Sequence, residues 1–175
     1  EIRPRDWSSD VCSSDLLFCR ATGPSLSPFN AWILSKSLET LEVRMERHSS
    51  NALLVAEKLE GHKNIQFVKY PFLPSHTQYA IAQKQMKNGG GIFCFEIKGG
   101  IESGRKFLNS LKMLSLTANL GDTRSIASHP ASTTHAKLSV KERAEVGISD
   151  GLIRISVGLE HPQDILADIL QALEA

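Results

Sequence analysis

The chain has 175 residues, 41% hydrophobic and 22% charged, with a formal net charge of +1. This is the balance of one ordinary globular domain, large enough to build a core without disulfides or metals. A charge so near neutrality gives no attraction for nucleic acid or an anionic membrane surface, and no apolar run approaches the roughly 20 residues of a membrane span.

Residues 1–16 differ from the rest. Arg5 to Asp15 nearly repeats a Ser-Ser-Asp unit without helical or strand periodicity. It reads as a non-native leader, or alternatively as a disordered native tail, and carries no fold argument. Residues 17–175 read as one folding unit: a long helical region over 17–61, then an α/β domain over 62–175. The three cysteines Cys12, Cys19 and Cys94 are odd in number and lack metal-ligand spacing. The expectation is therefore a reduced, cytoplasmic protein without a disulfide framework.

Ser27 followed by Pro28 marks a helix start, a capping hydroxyl before a first-turn proline. Leu34, Leu38, Leu41 and Met45 recur at helical spacing as a core stripe, and Ala52, Val55 and Leu59 continue it after a polar break around His48-Ser49-Ser50. One long helix or two with a bend is expected, ended by Gly61 as C-cap. Ile65–Tyr70 alternates as a strand stopped by Pro71, and His76 to Met86 reads as a short helix. Gly89-Gly90-Gly91 then introduces the strand Ile92–Ile97. No helix N-terminus follows that triple glycine, so it reads as a turn and not as a phosphate loop.

Ile101–Leu111 is expected to be helical. Met113–Ala118 and Ser125–Ala127 read as strands flanking the turn Asn119-Leu120-Gly121-Asp122. Ser139 opens a short helix over Val140–Val146. Leu152–Val157 is a strand, and Pro162–Leu173 is a closing helix that buries Ile165, Ile169, Leu170 and Leu173. The predicted fold class is a mixed α/β (α+β) sandwich, with helices on one face of a largely antiparallel sheet.

His129 and His135 are six apart, which fits neither a helical zinc pair nor a knuckle. They read as part of a loop whose hydroxyls satisfy its own backbone. Ser132 between them lacks an elbow motif, and Cys94 lies inside a strand as a small apolar group. Arg154 differs from all of these. Its neighbours on one strand face, Ser156 and Gly158, are small, no acid stands beside it in the strand, and a planar guanidinium with space beside it suits a carboxylate.

Several motifs occur together in order: Gly23-Pro24-Ser25-Leu26-Ser27-Pro28, Leu38-Glu39-Thr40-Leu41 with Arg44-Met45, Leu120-Gly121-Asp122, His129-Pro130-Ala131, Thr134-His135, and Gly151-Leu152 through Arg154 to Ser156-Val157-Gly158-Leu159-Glu160. From Leu17 onward the chain resembles the C-terminal domain of the Cys/Met-metabolism enzymes that depend on pyridoxal phosphate. Asn119 and the Thr133-Thr134-His135 ending resemble the O-acetyl- and O-succinylhomoserine sulfhydrylases most. The resemblance implies the small domain of the fold-type I transferases. The implied reaction is replacement at Cγ of a homoserine ester by sulfide or a thiol, in trans-sulfuration or direct sulfhydrylation towards methionine.

It further implies that Arg154 binds the substrate α-carboxylate, that Asn119 helps to hold it, and that Leu120 lines the pocket. Ser128, His129 and Thr134 would support these residues from behind. The cofactor lysine, the ring-stacking aromatic and the phosphate loop are expected upstream, in a large domain absent from this sequence. The chain is thus expected to hold no catalytic or cofactor-binding residue of its own. The parent is expected to be a homotetramer acting on an amino-acid substrate, with neither nucleic acid nor membrane as partner. The alternatives are a cystathionine γ-synthase or methionine γ-lyase fragment, or a structural remnant without independent activity.

Overall fold

The computed structural model describes Gly23 and residues 26–175. The leader read over residues 1–16 lies outside the described residues. The chain divides into two compact units, residues 1–41 and 42–175.

In the first unit, α1 (Pro28–Glu39) opens as expected: the Ser27 hydroxyl accepts the Asn30 N–H at 3.2 Å, and Pro28 occupies the first turn. Lys36 and Glu39 pair along the helix at 2.9 Å. No residue of α1 is buried. The helical region breaks at Thr40, and α2 (Leu41–Leu59) then runs without interruption through His48-Ser49-Ser50. Two expectations are corrected here. The break is eight residues earlier than the polar cluster suggested, and Leu34, Leu38, Leu41 and Met45 are exposed, so only the Ala52, Val55 and Leu59 part of the stripe is core.

The polar cluster does not break α2 because His48 and Ser49 are buried with partners, while Ser50 faces outward. The buried His48 Nδ1–H donates to the Val157 carbonyl at 2.5 Å, and the Ser49 hydroxyl donates to the Met45 carbonyl one turn back. The Asn51 amide donates to the carbonyls of Gly158 and Glu160 at 3.1 and 2.9 Å. Buried polar groups with full partners are compatible with a core position.

The second unit is built on β1 (Ile65–Lys69), β2 (Ile92–Ile97), β3 (Ser115–Leu116), β4 (Ile126–Ser128) and β5 (Leu152–Ser156), in spatial order β1-β2-β5-β4-β3. β1/β2, β2/β5 and β5/β4 are antiparallel, and β3/β4 is parallel. The helices are α3 (Tyr79–Gln85), α4 (Gly100–Ser110), α5 (Val140–Glu145) and α6 (Pro162–Leu173). Strand alternation sends Phe93, Phe95, Ile153, Ile155 and Ala127 to one face. There they form a single core with Val55 and Leu59 of α2, Phe107 of α4, and Ile165 and Ile169 of α6. The Phe95 and Phe107 rings meet edge to face at 5.5 Å, a favoured aromatic geometry. The opposite face carries the polar residues of the same strands, and the candidate site lies on it.

The segment before β4 departs from the strand expected over Met113–Ala118. β3 is only two residues long and runs parallel to β4. Its approach is held by a side chain: the buried Asp168 carboxylate of α6 accepts the N–H groups of Lys112, Met113 and Leu114 at 2.9–3.0 Å. Backbone donors satisfied in this way have no need of a strand partner.

Candidate functional site

β5 lies in the middle of the sheet, and Arg154 lies in the middle of β5. Across the ladder it pairs with Cys94 of β2 on one side and Ser128 of β4 on the other, and Cys94 in turn pairs with Lys69 of β1. Directly paired residues share a face, so Lys69, Cys94, Arg154 and Ser128 form one row over four strands. Burial raises the Cys94 thiol pKa, although the Arg154 and Lys69 cations pull it the other way. The thiol thus packs as a small, largely uncharged group beside the guanidinium.

Arg154 is half-buried, and no carboxylate among the described residues lies within ion-pair distance of it. One terminal nitrogen donates to the Ala118 carbonyl at 3.0 Å, while its Nε is buried and has no hydrogen-bond partner. Two residues along the strand, the Ser156 hydroxyl accepts the Gly121 N–H at 3.2 Å. These two bonds bracket Asn119 and Leu120, the residues singled out from sequence. The structure therefore brings all three together: Arg154 on the sheet, with Asn119 and Leu120 on the loop that it and Ser156 tie down. Both loop residues are exposed, Leu120 by 48%.

The small residues beside Arg154 have a different role from the open space inferred from sequence. Ser156 anchors the loop. Gly158 lets the backbone of Arg124 and Ser125 pass closely: an alanine methyl there would stand 2.5 Å from Arg124 C and Ser125 N, and would also strike the Glu160 carboxylate. That carboxylate accepts the Ser125 N–H at 2.6 Å and hydroxyl at 2.9 Å, and the same hydroxyl accepts the Gly158 N–H at 2.8 Å. Gly158→Ala should accordingly destabilise the chain by about 1–3 kcal/mol, measured as a lower urea midpoint at unchanged slope. An unchanged midpoint would show that the loop accommodates the methyl.

At the far end of the loop, Arg124 grips Asp122. This hydrogen bond, and the charge behind it, hold the Asp122 carboxyl at about 2. Asp122 is thus occupied with Arg124 and leaves Arg154 free of an internal counter-ion.

The His129 loop matches the structural reading. His129 is buried, and its Nε2–H donates to the Asp150 carbonyl at 2.8 Å, which leaves Nδ1 for the Ser132 hydroxyl at 2.8 Å. The Thr133 hydroxyl donates to the His129 carbonyl, and His135 Nδ1 meets the Thr134 hydroxyl. A serine and a histidine therefore do touch, but the group behind the histidine is a backbone carbonyl. The Asp150 carboxylate is bound instead to Arg143 at 2.8 Å. An orienting acid, which nucleophilic catalysis requires, is absent from the pair.

All lysines of the chain fall within the described residues, and all are exposed. Lys36 and Lys63 are ion-paired to Glu39 and Glu174, Lys87 to Glu42, and the Lys98 ammonium donates to the Lys63 carbonyl. A lysine that forms a Schiff base needs a desolvated pocket to lower its affinity for protons, and none occupies one. The site is thus a central-strand arginine with spare donors, opposite a polar loop, without a covalent attachment point. It belongs to a mixed α/β domain with an open five-stranded sheet.

Comparison with known proteins agrees with that fold. The family model for Cys/Met metabolism PLP-dependent enzymes matches residues 7–174, and the chain belongs to that family. It is 50% identical over 157 residues to an O-acetyl-L-homoserine sulfhydrylase from Leptospira meyeri, covering 89% of this chain and 36% of that protein. It is 47% identical over 158 residues to an O-succinylhomoserine sulfhydrylase from Pseudomonas aeruginosa, covering 90% and 39%. An L-methionine γ-lyase from Pseudomonas deceptionensis is 48% identical over 154 residues, covering 88% and 39%. The fold matches a crystal structure described as an O-acetylhomoserine (thiol)-lyase from Campylobacter jejuni, with a TM-score of 0.83 and 42% identity over 91% of this chain and 38% of that one. That protein carries an N'-pyridoxyl-lysine-5'-monophosphate. The chain spans well under half the length of these relatives. Among the described residues no lysine lies in a pocket that would hold the covalent cofactor.

Proposed function

We propose that this chain is the C-terminal segment of a PLP-dependent homoserine-ester sulfhydrylase and supplies the substrate-carboxylate half of its active site. The observation that carries the reading is Arg154. It has a buried Nε without a partner, no internal carboxylate, and a terminal nitrogen on the loop that presents Asn119 and Leu120. A guanidinium with unspent donors is suited to a planar anion through two parallel hydrogen bonds. Arg154 is the carboxylate clamp, Asn119 a second donor from the loop, and Leu120 the apolar wall. Fixing the carboxylate orients the Cα–H bond, and so contributes positioning as well as affinity. The proposed substrate is a homoserine ester, and the proposed parent is a homotetramer of the cytoplasm. No described helix is long and apolar enough to cross a membrane.

The sulfhydrylase reading is favoured by Asn119 and by the resemblance to sulfhydrylases from two organisms. The γ-lyases of comparable identity make methionine elimination the second reading. A chimera decides between them. The matching C-terminal part of the Leptospira meyeri sulfhydrylase is replaced by residues 17–175 of this chain, and the product is assayed with O-acetyl-L-homoserine plus sulfide and with methionine. Sulfide-dependent formation of homocysteine is expected. Release of a thiol and a keto acid from methionine, without replacement activity, would favour the lyase. The isolated chain mixed with pyridoxal phosphate should not develop the yellow absorbance of a lysine-bound cofactor.

A further inference from the structure

Two orphaned polar groups stand side by side in the β4–β5 ladder. Ser128 pairs with Arg154 in register, and both the Ser128 hydroxyl and the Arg154 Nε are buried without a hydrogen-bond partner. Direct partners of an antiparallel pair carry their Cβ atoms about 4.5–5.5 Å apart on one face. The hydroxyl is therefore within reach of an atom bound at Nε.

The coincidence is selective. Among the described residues one other buried side-chain atom lacks a partner, the Nε of Arg143. The Arg143 guanidinium is nevertheless committed inside the chain, through its terminal nitrogens, to the Leu138 carbonyl and the Asp150 carboxylate. Arg154 has no such carboxylate, and its terminal nitrogen is engaged only with the Ala118 carbonyl. Ser128 is 5% exposed, and burying a hydroxyl unpaired is unfavourable unless something outside the chain completes it. Its polar neighbours do not. The Ser156 hydroxyl accepts the Gly121 N–H, both His129 ring nitrogens are engaged, and the Thr133 hydroxyl is spent on the His129 carbonyl. On the other flank of Arg154 stands Cys94, whose thiol is a weak donor.

We infer that Ser128 is a substrate-binding residue, whose hydroxyl donates to the carboxylate oxygen held by the Arg154 Nε–H. This role rests on the carboxylate reading of Arg154 and adds a third donor to it, from the neighbouring strand. A carboxylate oxygen has lone pairs for two hydrogen bonds. When the guanidinium grips side-on, through Nε and a terminal nitrogen, the oxygen at Nε still has one to spare. The family resemblance sets Ser128 behind the clamp, whereas the sheet register sets it beside the clamp. Because the carboxylate keeps its charge throughout the reaction, this bond is as strong in the ground state as in the transition state. It therefore contributes to KM more than to kcat.

The test is steady-state kinetics of Ser128→Ala, Arg154→Ala and the double variant in the Leptospira meyeri chimera, with O-acetyl-L-homoserine and sulfide varied in turn. Ser128→Ala should raise KM for the ester about tenfold, the effect of one hydrogen bond to a charged group, with kcat within about twofold. KM for sulfide, which has no carboxylate, should not move. On the Arg154→Ala background the same substitution should change the ester KM by less than about twofold, since the two donors share one oxygen. Ser128→Cys, of similar size but a weak donor, should reproduce most of the loss and serves if the alanine variant fails to fold. The urea midpoint of the Ser128→Ala chain should be at least that of the wild type, because an orphaned hydroxyl is removed. An unchanged ester KM in Ser128→Ala and Ser128→Cys refutes the role, and so does an equal loss on the Arg154→Ala background. A rise in both KM values together with a lower urea midpoint would make Ser128 a structural residue. If Arg154→Ala itself leaves the ester KM unchanged, the carboxylate reading fails, and the role of Ser128 falls with it.

Discussion

Replacing Arg154 by alanine should lower kcat/KM of the Leptospira meyeri chimera by two to three orders of magnitude while barely altering the stability of this chain. The first half follows from the unspent donors. Two charge-assisted hydrogen bonds to a carboxylate contribute on the order of 3–4 kcal/mol after the cost of stripping water from both ions, and about 1.4 kcal/mol is a factor of ten. KM should rise, and kcat should also fall, because a substrate held by its remaining groups presents its Cα–H bond in the wrong direction for part of the time. Arg154→Lys should recover only a small part, since an ammonium offers a point charge and not a planar fork.

The second half follows from what Arg154 does inside the chain. It makes one hydrogen bond to a backbone carbonyl of an exposed loop, and its Nε is buried unpaired. Alanine loses the bond and also removes the orphan donor, so the two effects offset each other to within about 1 kcal/mol. The paired measurement is steady-state kinetics with O-acetyl-L-homoserine on the chimera and urea unfolding of the chain. Unchanged kinetics would remove Arg154 from the site. A large loss of stability would make it a structural arginine.

Legibility in the sequence followed the range of the interaction that decided each element. β2, β5 and α6 are bounded by alternation, glycine turns and a first-turn proline, all local, and their observed limits lie within a residue of those read from sequence. The Ser139 start of α5 was equally local, and it carries a full capping box with Glu142. Periodicity misled where the answer lay elsewhere in the chain. Leu34, Leu38, Leu41 and Met45 have core spacing but are exposed, because a stripe states which side of a helix is apolar and not what covers it. His48-Ser49-Ser50 looked like a break because the partner that lets His48 be buried, the Val157 carbonyl, lies more than a hundred residues away, as do the carbonyls that hold Asn51.

The site shows the same division. Arg154, Asn119 and Leu120 stood out from a strand pattern and a family motif, and the loop bearing the last two is tied to the strand bearing the first. Ser128 on one side of the guanidinium was named through the family motif, whereas Cys94 on the other could not be read, since sheet register places it there. Nor could the Ala118 carbonyl, because any residue supplies one. Ser156 and Gly158 were visible as small residues, but their purpose was not. Only the path of residues 121–125 across them shows that they admit backbone and do not leave a void.

Asp168→Ala should destabilise the chain by roughly 2–4 kcal/mol, a loss of the size expected for a large core truncation. The Asp168 carboxylate accepts three consecutive backbone N–H groups ahead of β3 and the Gln171 amide at 3.0 Å, and alanine leaves those donors with no acceptor in a part-buried position. Because this anchor fixes the start of the chain that runs to Ala118 and Asn119, its loss should also loosen the Arg154 loop. The pH dependence is specific. Burial on its own would raise the Asp168 pKa, but the backbone donors and the Gln171 amide outweigh it, so the folded-state pKa lies below the unfolded one. A depressed carboxylate pKa means that the unfolded chain binds the proton first. The stabilisation is therefore complete above the unfolded pKa of about 3.9 and disappears as the pH falls through the folded value. Asp122 and Glu142 are held low as well and contribute to the acid limb in both proteins, so the informative quantity is the difference between wild type and Asp168→Asn. That difference should be constant between pH 5 and pH 7, on the order of 1–2 kcal/mol, and should shrink steadily below about pH 4. A difference that grew on acidification would mean that the carboxyl is protonated in the fold and donates to its neighbours, which would reverse the role assigned to it.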